Sequence, residues 1–111
     1  MIFAWNDWNI GHLAGHGVAP IEAEYVVANA RSPYPLAIDS EKRLVVGKTA
    51  KGRILHVIFV FKSIDDVEPG SISSADLAEM ADLDVTEVIF VIHAMAASPK
   101  MKRQDRRRRK P

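Results

Sequence analysis

Cysteine is absent from the 111-residue chain, which excludes a disulfide framework and a thiolate metal site. Long apolar runs are lacking too, because VIFVF and VIFVI fall far below the roughly 18 to 20 residues that cross a bilayer. The start, MIFAWNDWN, is not expected to be a secretory signal peptide. It carries an acidic group and lacks the basic region and apolar stretch of such a signal. With 48% apolar residues, the chain is expected to be a soluble, cytoplasmic protein with one core.

Positive charge is missing from one segment and concentrated in another. Between Asp65 and Glu87 there are eight carboxylates and no lysine or arginine, whereas residues 100–111 hold eight basic side chains and one acidic one. That basic segment carries +7, so residues 1–99 carry −6 within a chain of net charge +1. Such asymmetry indicates nucleic acid or an acidic partner, although the acidic segment is also expected to compete with RNA for the basic one.

Four helices are predicted from capping residues and apolar spacing. Asn6 or Asp7 caps a first helix to about Gly15, with Gly17 as a left-handed stop. A second helix runs from Pro20 to Ala30. SSADLAEMAD predicts a short capped helix, and Ser98 with Pro99 begins a terminal helix that carries the arginines.

The remaining segments have an extended pattern. MIFAW suits a short strand, and PLAID, KRLVVGKT, GRILHVIFVFK and TEVIFVIHAM are rich in β-branched and aromatic residues with turn signals between them. The order predicts an α+β fold: an antiparallel meander sheet with N-terminal helices and a C-terminal helix packed on it. We expect one domain over residues 1–99, with an acidic insertion at 64–87, followed by a basic helix or tail over 100–111.

Three segments, in this order, carry a resemblance: FAWNDWNIGHLAGHGVAPIEAEYVV, RLVVGKTAKGRILHVIFV and VIFVIHAMAASPKMKR. The sequence there resembles the BrnT-type toxins of bacterial type II toxin–antitoxin modules, over roughly residues 3–63 and 88–103. The resemblance implies a RelE-like ribonuclease fold, RNA cleavage without metal or other cofactor, and a ribbon-helix-helix antitoxin as partner. It places the catalytic histidine on His16 and the catalytic arginine on Arg53. Met95 stands where the family has an arginine.

The chemistry of RNA cleavage explains these residue types. Without metal, the reaction needs a base for the 2′-hydroxyl proton, an acid for the leaving oxygen and fixed positive charge at the phosphate. Histidine transfers protons near neutral pH, and arginine donates a planar pair of hydrogen bonds to phosphate. Phosphate ligands are expected at Lys48, Lys51, Lys102, Arg103, Arg106 and Arg107. Since the basic segment has no aromatic residue, sequence-specific stacking is not indicated.

Each histidine also has a structural interpretation. His12 and His16 are spaced like metal ligands on one helix face, but HLAGH lacks the glutamate of HExxH and no third ligand is evident, so helix capping is favoured. His93 is expected on one strand face with Ile89, Val91 and Met95, as a half-buried sheet residue, and His56 is expected to be structural. Trp5 and Trp8 are expected in the core.

Three functions remain open. The first is a metal-free endoribonuclease toxin, and the second is a relative that binds RNA or its antitoxin without cutting. The third is an interaction module that forms homo-oligomers through the acidic insertion and the basic segment. RNA cleavage in EDTA would indicate the first function, and salt-sensitive RNA binding without cleavage would indicate the second. Salt-sensitive self-association without RNA affinity would indicate the third.

Overall fold

A four-stranded antiparallel sheet forms the centre of the computed structural model, which describes residues 1–110. Its strands, in the spatial order β1-β2-β3-β4, are β1 (Leu36–Ala37), β2 (Lys42–Lys48), β3 (Ile54–Ser63) and β4 (Glu87–Ala96). The predicted antiparallel meander and α+β class are confirmed. Pro111, the end of the predicted basic segment, lies outside the described residues.

Four α-helices surround the sheet, each beginning at a residue that favours a helix start. They are α1 (Asp7–Ala14), α2 (Pro20–Ala28), α3 (Ser74–Leu83) and α4 (Pro99–Arg109), with a short 3₁₀ turn at Ile64–Asp66. The side chains of Asn6, Ser73 and Ser98 accept a backbone N–H at the first turns of α1, α3 and α4, which satisfies donors that a helix leaves unpaired. None of the helices among residues 1–110 has the length and apolar character of a membrane span.

The main core lies between one face of the sheet and the first two helices. Alternate residues of β3, namely Leu55, Val57 and Phe59, are buried there with Leu13 of α1 and the α2 residues Ala23, Val26 and Val27. Ile21, near the start of α2, lies on the solvent side of that helix and is 74% exposed. A second cluster joins Ile2, Ala4, Val88 and Phe90 to Ile72 and Met80 around α3.

A β-bulge in β4 changes which side chains share a face. Val91 pairs with Phe59, but His93 pairs with Ile58, so two β4 residues advance where β3 advances by one. Because an extra residue reverses the alternation that follows, His93 and Met95 lie on the face opposite Ile89 and Val91. The prediction that these four residues share one face was wrong.

The N-terminal segment also differs from its prediction. The MIFAW strand is reduced to a single parallel bridge between Phe3 and Ile89 at the free edge of β4. Trp8 is 55% exposed, so it is not a core residue as expected, and it stacks on Phe90 with ring centroids 6.0 Å apart. Trp5 is partly buried against the main core.

Candidate nucleic-acid interface and histidine cluster

A small polar network anchors α4 to the sheet. The Tyr34 hydroxyl donates to Asp105 Oδ1 at 2.7 Å, Arg109 Nε donates to the same oxygen at 2.8 Å, and Arg109 Nη2 donates to the Val46 carbonyl at 3.0 Å. Burial, with the Asp105 hydrogen bond, raises the pKa of the Tyr34 phenol, so the hydroxyl keeps the proton that it donates. The one carboxylate of α4 is therefore committed to holding the helix in place.

A groove of about 650 Å³ lies between α2, the end of β2 and α4. Five of the side chains that line it are cationic, and one is acidic: Arg31, Lys48, Lys102, Arg106 and Arg109, with Asp105. Since Asp105 already pairs with Arg109, the groove presents a surplus of positive charge. Arginine and lysine clustered in a concave surface concentrate the potential that attracts phosphates.

The other four cations of the groove are available to a ligand. The ion pairs among residues 1–110 join Lys42 to Asp39, Arg53 to Glu22 and Arg109 to Asp105. None of them involves the remaining groove cations, and none joins the acidic segment 64–87 to α4. Within the described part of the chain, the expected competition of the acidic segment for the basic one is therefore not realised as an ion pair.

The predicted phosphate ligands are divided by the fold. Lys48, Lys102 and Arg106 line the groove together, whereas Lys51 lies in the exposed turn between β2 and β3. The side chains of Arg103 and Arg107 border a separate, shallower surface of α4 with Arg106 and Lys110. Sequence reasoning missed Arg31 and Arg109 as groove residues, because only the packing of α2 and α4 brings them to the same place.

Arg53, the predicted catalytic arginine, fastens the β2–β3 turn to the loop between α1 and α2. Its Nη1 donates to the Gly17 carbonyl at 2.8 Å and lies 3.6 Å from Glu22 Oε2. Gly17 has φ +69°, the left-handed stop predicted for it. The Arg53 guanidinium therefore lies beside Gly17, the residue that follows His16. Part of its hydrogen-bonding capacity is already used.

All four histidines of the chain lie in one cluster. Ring centroids are 6.1 Å apart for His12 and His16, 5.1 Å for His16 and His93, 6.0 Å for His12 and His93, and 6.2 Å for His56 and His93. The bulge in β4 makes this possible, since it turns His93 onto the face that carries His56. Met95 pairs with His56 across the two strands, so Met95 adjoins the cluster.

The two sheet histidines are held in the neutral form. Burial, together with the nearby His93 and Arg108, lowers the pKa of the His56 imidazole. Burial also lowers the pKa of His93, and the nearby His16 and His12 lower it further. Neutral imidazole at neutral pH can accept a proton or coordinate a metal ion.

These lowered pKa values predict a pH-dependent stability. In EDTA, the free energy of unfolding is expected to fall as the pH is lowered from 7.5 to 5, because unfolded imidazoles take up protons near a pKa of about 6.5 while His56 and His93 resist protonation. The unfolded state then holds more protons, so it is favoured as the pH falls. Urea unfolding across this range checks the slope, and His56→Gln is expected to make it shallower. Equal slopes for the two proteins would contradict the prediction.

Comparisons with known proteins do not extend the resemblance noted above. No protein-family model matches the chain, and neither a curated protein nor a solved structure does. The likeness to BrnT-type toxins therefore depends on the three sequence motifs alone.

Proposed function

We propose that the chain binds RNA by its sugar–phosphate backbone in the basic groove, as an RNA-targeting domain of the BrnT-like toxin type. The observation that carries the proposal is the convergence of Arg31, Lys48, Lys102 and Arg106 onto one concave surface, from the loop after α2, the end of β2 and α4. Basic side chains that only maintain solubility are expected to be spread over the surface and not gathered in a groove. RNA suits such a surface, because it carries one phosphate per nucleotide and arginine donates paired hydrogen bonds to phosphate oxygens.

The composition of the groove favours backbone contacts over base recognition. Lysine and arginine are its main polar groups, with Asn29 and Thr49 beside them and a single aromatic residue, Tyr25. Tyr25 is 42% exposed, which leaves one ring on which a base can stack. Charge with little aromatic surface gives binding that tolerates many sequences and depends strongly on salt.

The cleavage part of the proposal concerns His16 and Arg53. The Arg53 side chain holds the loop that carries His16, and Arg53 belongs to the same turn as Lys51, close in sequence to Lys48 of the groove. An RNA strand that lies along the groove toward this turn would bring a phosphate near His16 and Arg53. Because Met95 supplies no charge to the reaction, we expect slow turnover, in line with the cost of about 10²- to 10³-fold for one lost electrostatic donor.

The proposal predicts steep salt dependence. Anisotropy titrations of a fluorescent single-stranded oligoribonucleotide are expected to give a slope of log affinity against log salt of about −3, from roughly 0.7 per phosphate contact and four available cations.

Gel analysis of a structured mRNA in EDTA, with His16→Ala and Arg53→Ala beside the wild type, tests cleavage. Cuts lost in both variants support the nuclease. RNA retained but uncut supports the binding-only relative.

RNA that fails to bind at low salt would contradict the proposal. If the chain then associates with itself in a manner that salt abolishes, the third interpretation, an interaction module, is favoured. Sedimentation velocity over a range of protein and salt concentrations measures this directly. Here a single species that does not change with concentration, together with RNA binding, would exclude self-association as the main role.

The antitoxin partner is also part of the proposal. A second hollow of about 480 Å³ is mostly apolar, and its lining includes Met1, Phe61, Leu83 and Val85, all of which are exposed large hydrophobics. Exposed apolar side chains gathered at one place are typical of protein-binding surfaces. This hollow gives the proposed antitoxin an apolar contact surface that meets the basic groove at Ala30.

A further inference from the structure

We propose that His12, His16 and His93 form a binding site for a late transition-metal dication, with Zn²⁺ as the representative ion. His12 comes from α1, His16 from the turn that follows α1, and His93 from β4, so the site links the first helix and its C-terminal turn to the edge strand of the sheet. This inference is independent of RNA binding, because it concerns a different set of side chains.

The geometry brings the three rings within reach of one ion. One ring nitrogen from each histidine lies within 4.8 Å of the other two. Zinc binds histidine nitrogen at roughly 2.0 to 2.1 Å in tetrahedral geometry, which places the nitrogens about 3.3 Å apart. Ligation thus requires the ring nitrogens to approach one another by at most about 1.5 Å. Rotation of the exposed side chains of His12 and His16 supplies this movement, while His93 is half-buried in the sheet.

The spacing of His12 and His16 brings these two ligands to one side of the chain. His12 and His16 are four residues apart, and neighbours at that spacing lie on the same helix face. Although α1 ends at Ala14, the chain continues in a turn in which His16 N–H donates to the Leu13 carbonyl at 3.0 Å. This turn returns His16 toward His93, with ring centroids only 5.1 Å apart.

The donor set selects the class of metal. The group consists of imidazoles only, without carboxylate or thiolate, and imidazole suits zinc, copper and nickel rather than calcium or magnesium. Three protein ligands leave a fourth position of a tetrahedral zinc ion for water or another small ligand. The fourth histidine of the chain, His56, is not in the three-residue group. Its replacement therefore serves as a control.

The scaffold around the three residues is already in place. Leu13 is fully buried in the main core, and Asn9, also fully buried, donates from Nδ2 to the Ala4 carbonyl at 3.1 Å. These contacts hold α1 beside β4 independently of any ion. Preformed positions reduce the ordering cost of binding, so the ion has to orient only side chains.

Zinc titration of untagged protein by isothermal calorimetry, with no RNA present, tests the proposal. We expect one Zn²⁺ per chain, at least tenfold weaker binding for His12→Gln, His16→Gln and His93→Gln, and unchanged binding for His56→Gln. Since the ion binds the folded chain, Zn²⁺ is also expected to raise the melting temperature of the wild type and of His56→Gln, but not that of His93→Gln.

A second readout uses Trp8, whose ring stacks on His12 with centroids 5.1 Å apart. In Trp5→Phe protein, where Trp8 is the only tryptophan, Cu²⁺ is expected to quench the fluorescence at one equivalent. The quenching should be lost in His93→Gln. No saturable binding of either ion would overturn the proposal, as would wild-type affinity in the folded His93→Gln variant, because the helix pair alone would then account for the binding.

Discussion

Replacing Lys102 and Arg106 together by glutamine is expected to lower the affinity for single-stranded RNA by at least about 100-fold at low salt. Hydrogen bonds to charged groups contribute about 1.5 to 3 kcal/mol each, and 1.4 kcal/mol corresponds to a tenfold change in affinity. The same double variant should reduce the salt slope by about 1.4, because two of the four phosphate contacts are lost. Anisotropy titrations at several salt concentrations measure both quantities.

A matched control is available on the same helix. Arg103 and Arg107 also carry two positive charges of α4, but they border its shallower outer surface, so Arg103→Gln with Arg107→Gln is expected to weaken binding by less than tenfold. Circular dichroism should show the same helix content in both double variants, since the anchoring residues Asp105 and Arg109 are unchanged. Equal losses in the two variants would mean that RNA senses the net charge of α4 and not the groove.

Leu13→Ala is expected to lower the free energy of unfolding by about 2 to 5 kcal/mol, the range for a buried leucine truncated to alanine. Leu13 is 0% exposed and packs in the main core, so the truncation leaves a cavity beneath α1. Domains of this kind are stable by only about 5 to 15 kcal/mol, so the loss is a large part of the total. Urea unfolding followed by circular dichroism measures it.

Ile10→Ala is the control for this truncation. Ile10 lies in α1, one turn before Leu13, and is 40% exposed, so its replacement is expected to change stability by no more than about 0.5 kcal/mol, as for most surface positions. A similar loss in both variants would show that α1 depends on its apolar content as a whole. A small loss in Leu13→Ala alone would contradict the packing of α1 onto the core.

The helix starts could be predicted because their causes are local. Asn6, Pro20, Ser73 and Ser98 begin or precede helices in the structure, as their capping chemistry requires. The pairing of β1 with β2 and of β2 with β3 follows similarly from short turns between extended segments, whereas residues 64–86, which include α3, separate β3 from β4. The second helix was predicted to end at Ala30, but α2 ends at Ala28, two residues earlier, because the prolines of RSPYP only limit how far the helix can continue.

The basic groove and the histidine cluster depend on contacts between distant segments, which no local sequence pattern indicates. The bulge before His93 arises from the register between β3 and β4, so simple alternation along β4 assigned the wrong face and separated His93 from the other histidines. Arg31 and Arg109 of the groove lie far apart in the sequence and meet only because α4 docks beside α2. The spacing of His12 and His16 is that of metal ligands, but only the fold shows that His93 joins them as a third.

The groove and the histidine cluster are connected through one turn of the chain. Arg53 hydrogen-bonds to Gly17, next to His16, and belongs to the hairpin whose β2 strand ends at Lys48 of the groove. A zinc ion on His16 would occupy the lone pair that metal-free cleavage needs from this residue. We therefore expect Zn²⁺ to inhibit any cleavage while leaving RNA binding in the groove intact.

An NMR titration of ¹⁵N-labelled protein with a short single-stranded oligoribonucleotide tests the central claim most directly. Binding in the groove predicts amide shifts concentrated on Tyr25–Arg31, Val46–Thr49 and the inner side of α4 around Lys102 and Arg106. Shifts confined to the outer surface of α4, around Arg103 and Arg107, or the absence of saturable shifts at low salt, would contradict it.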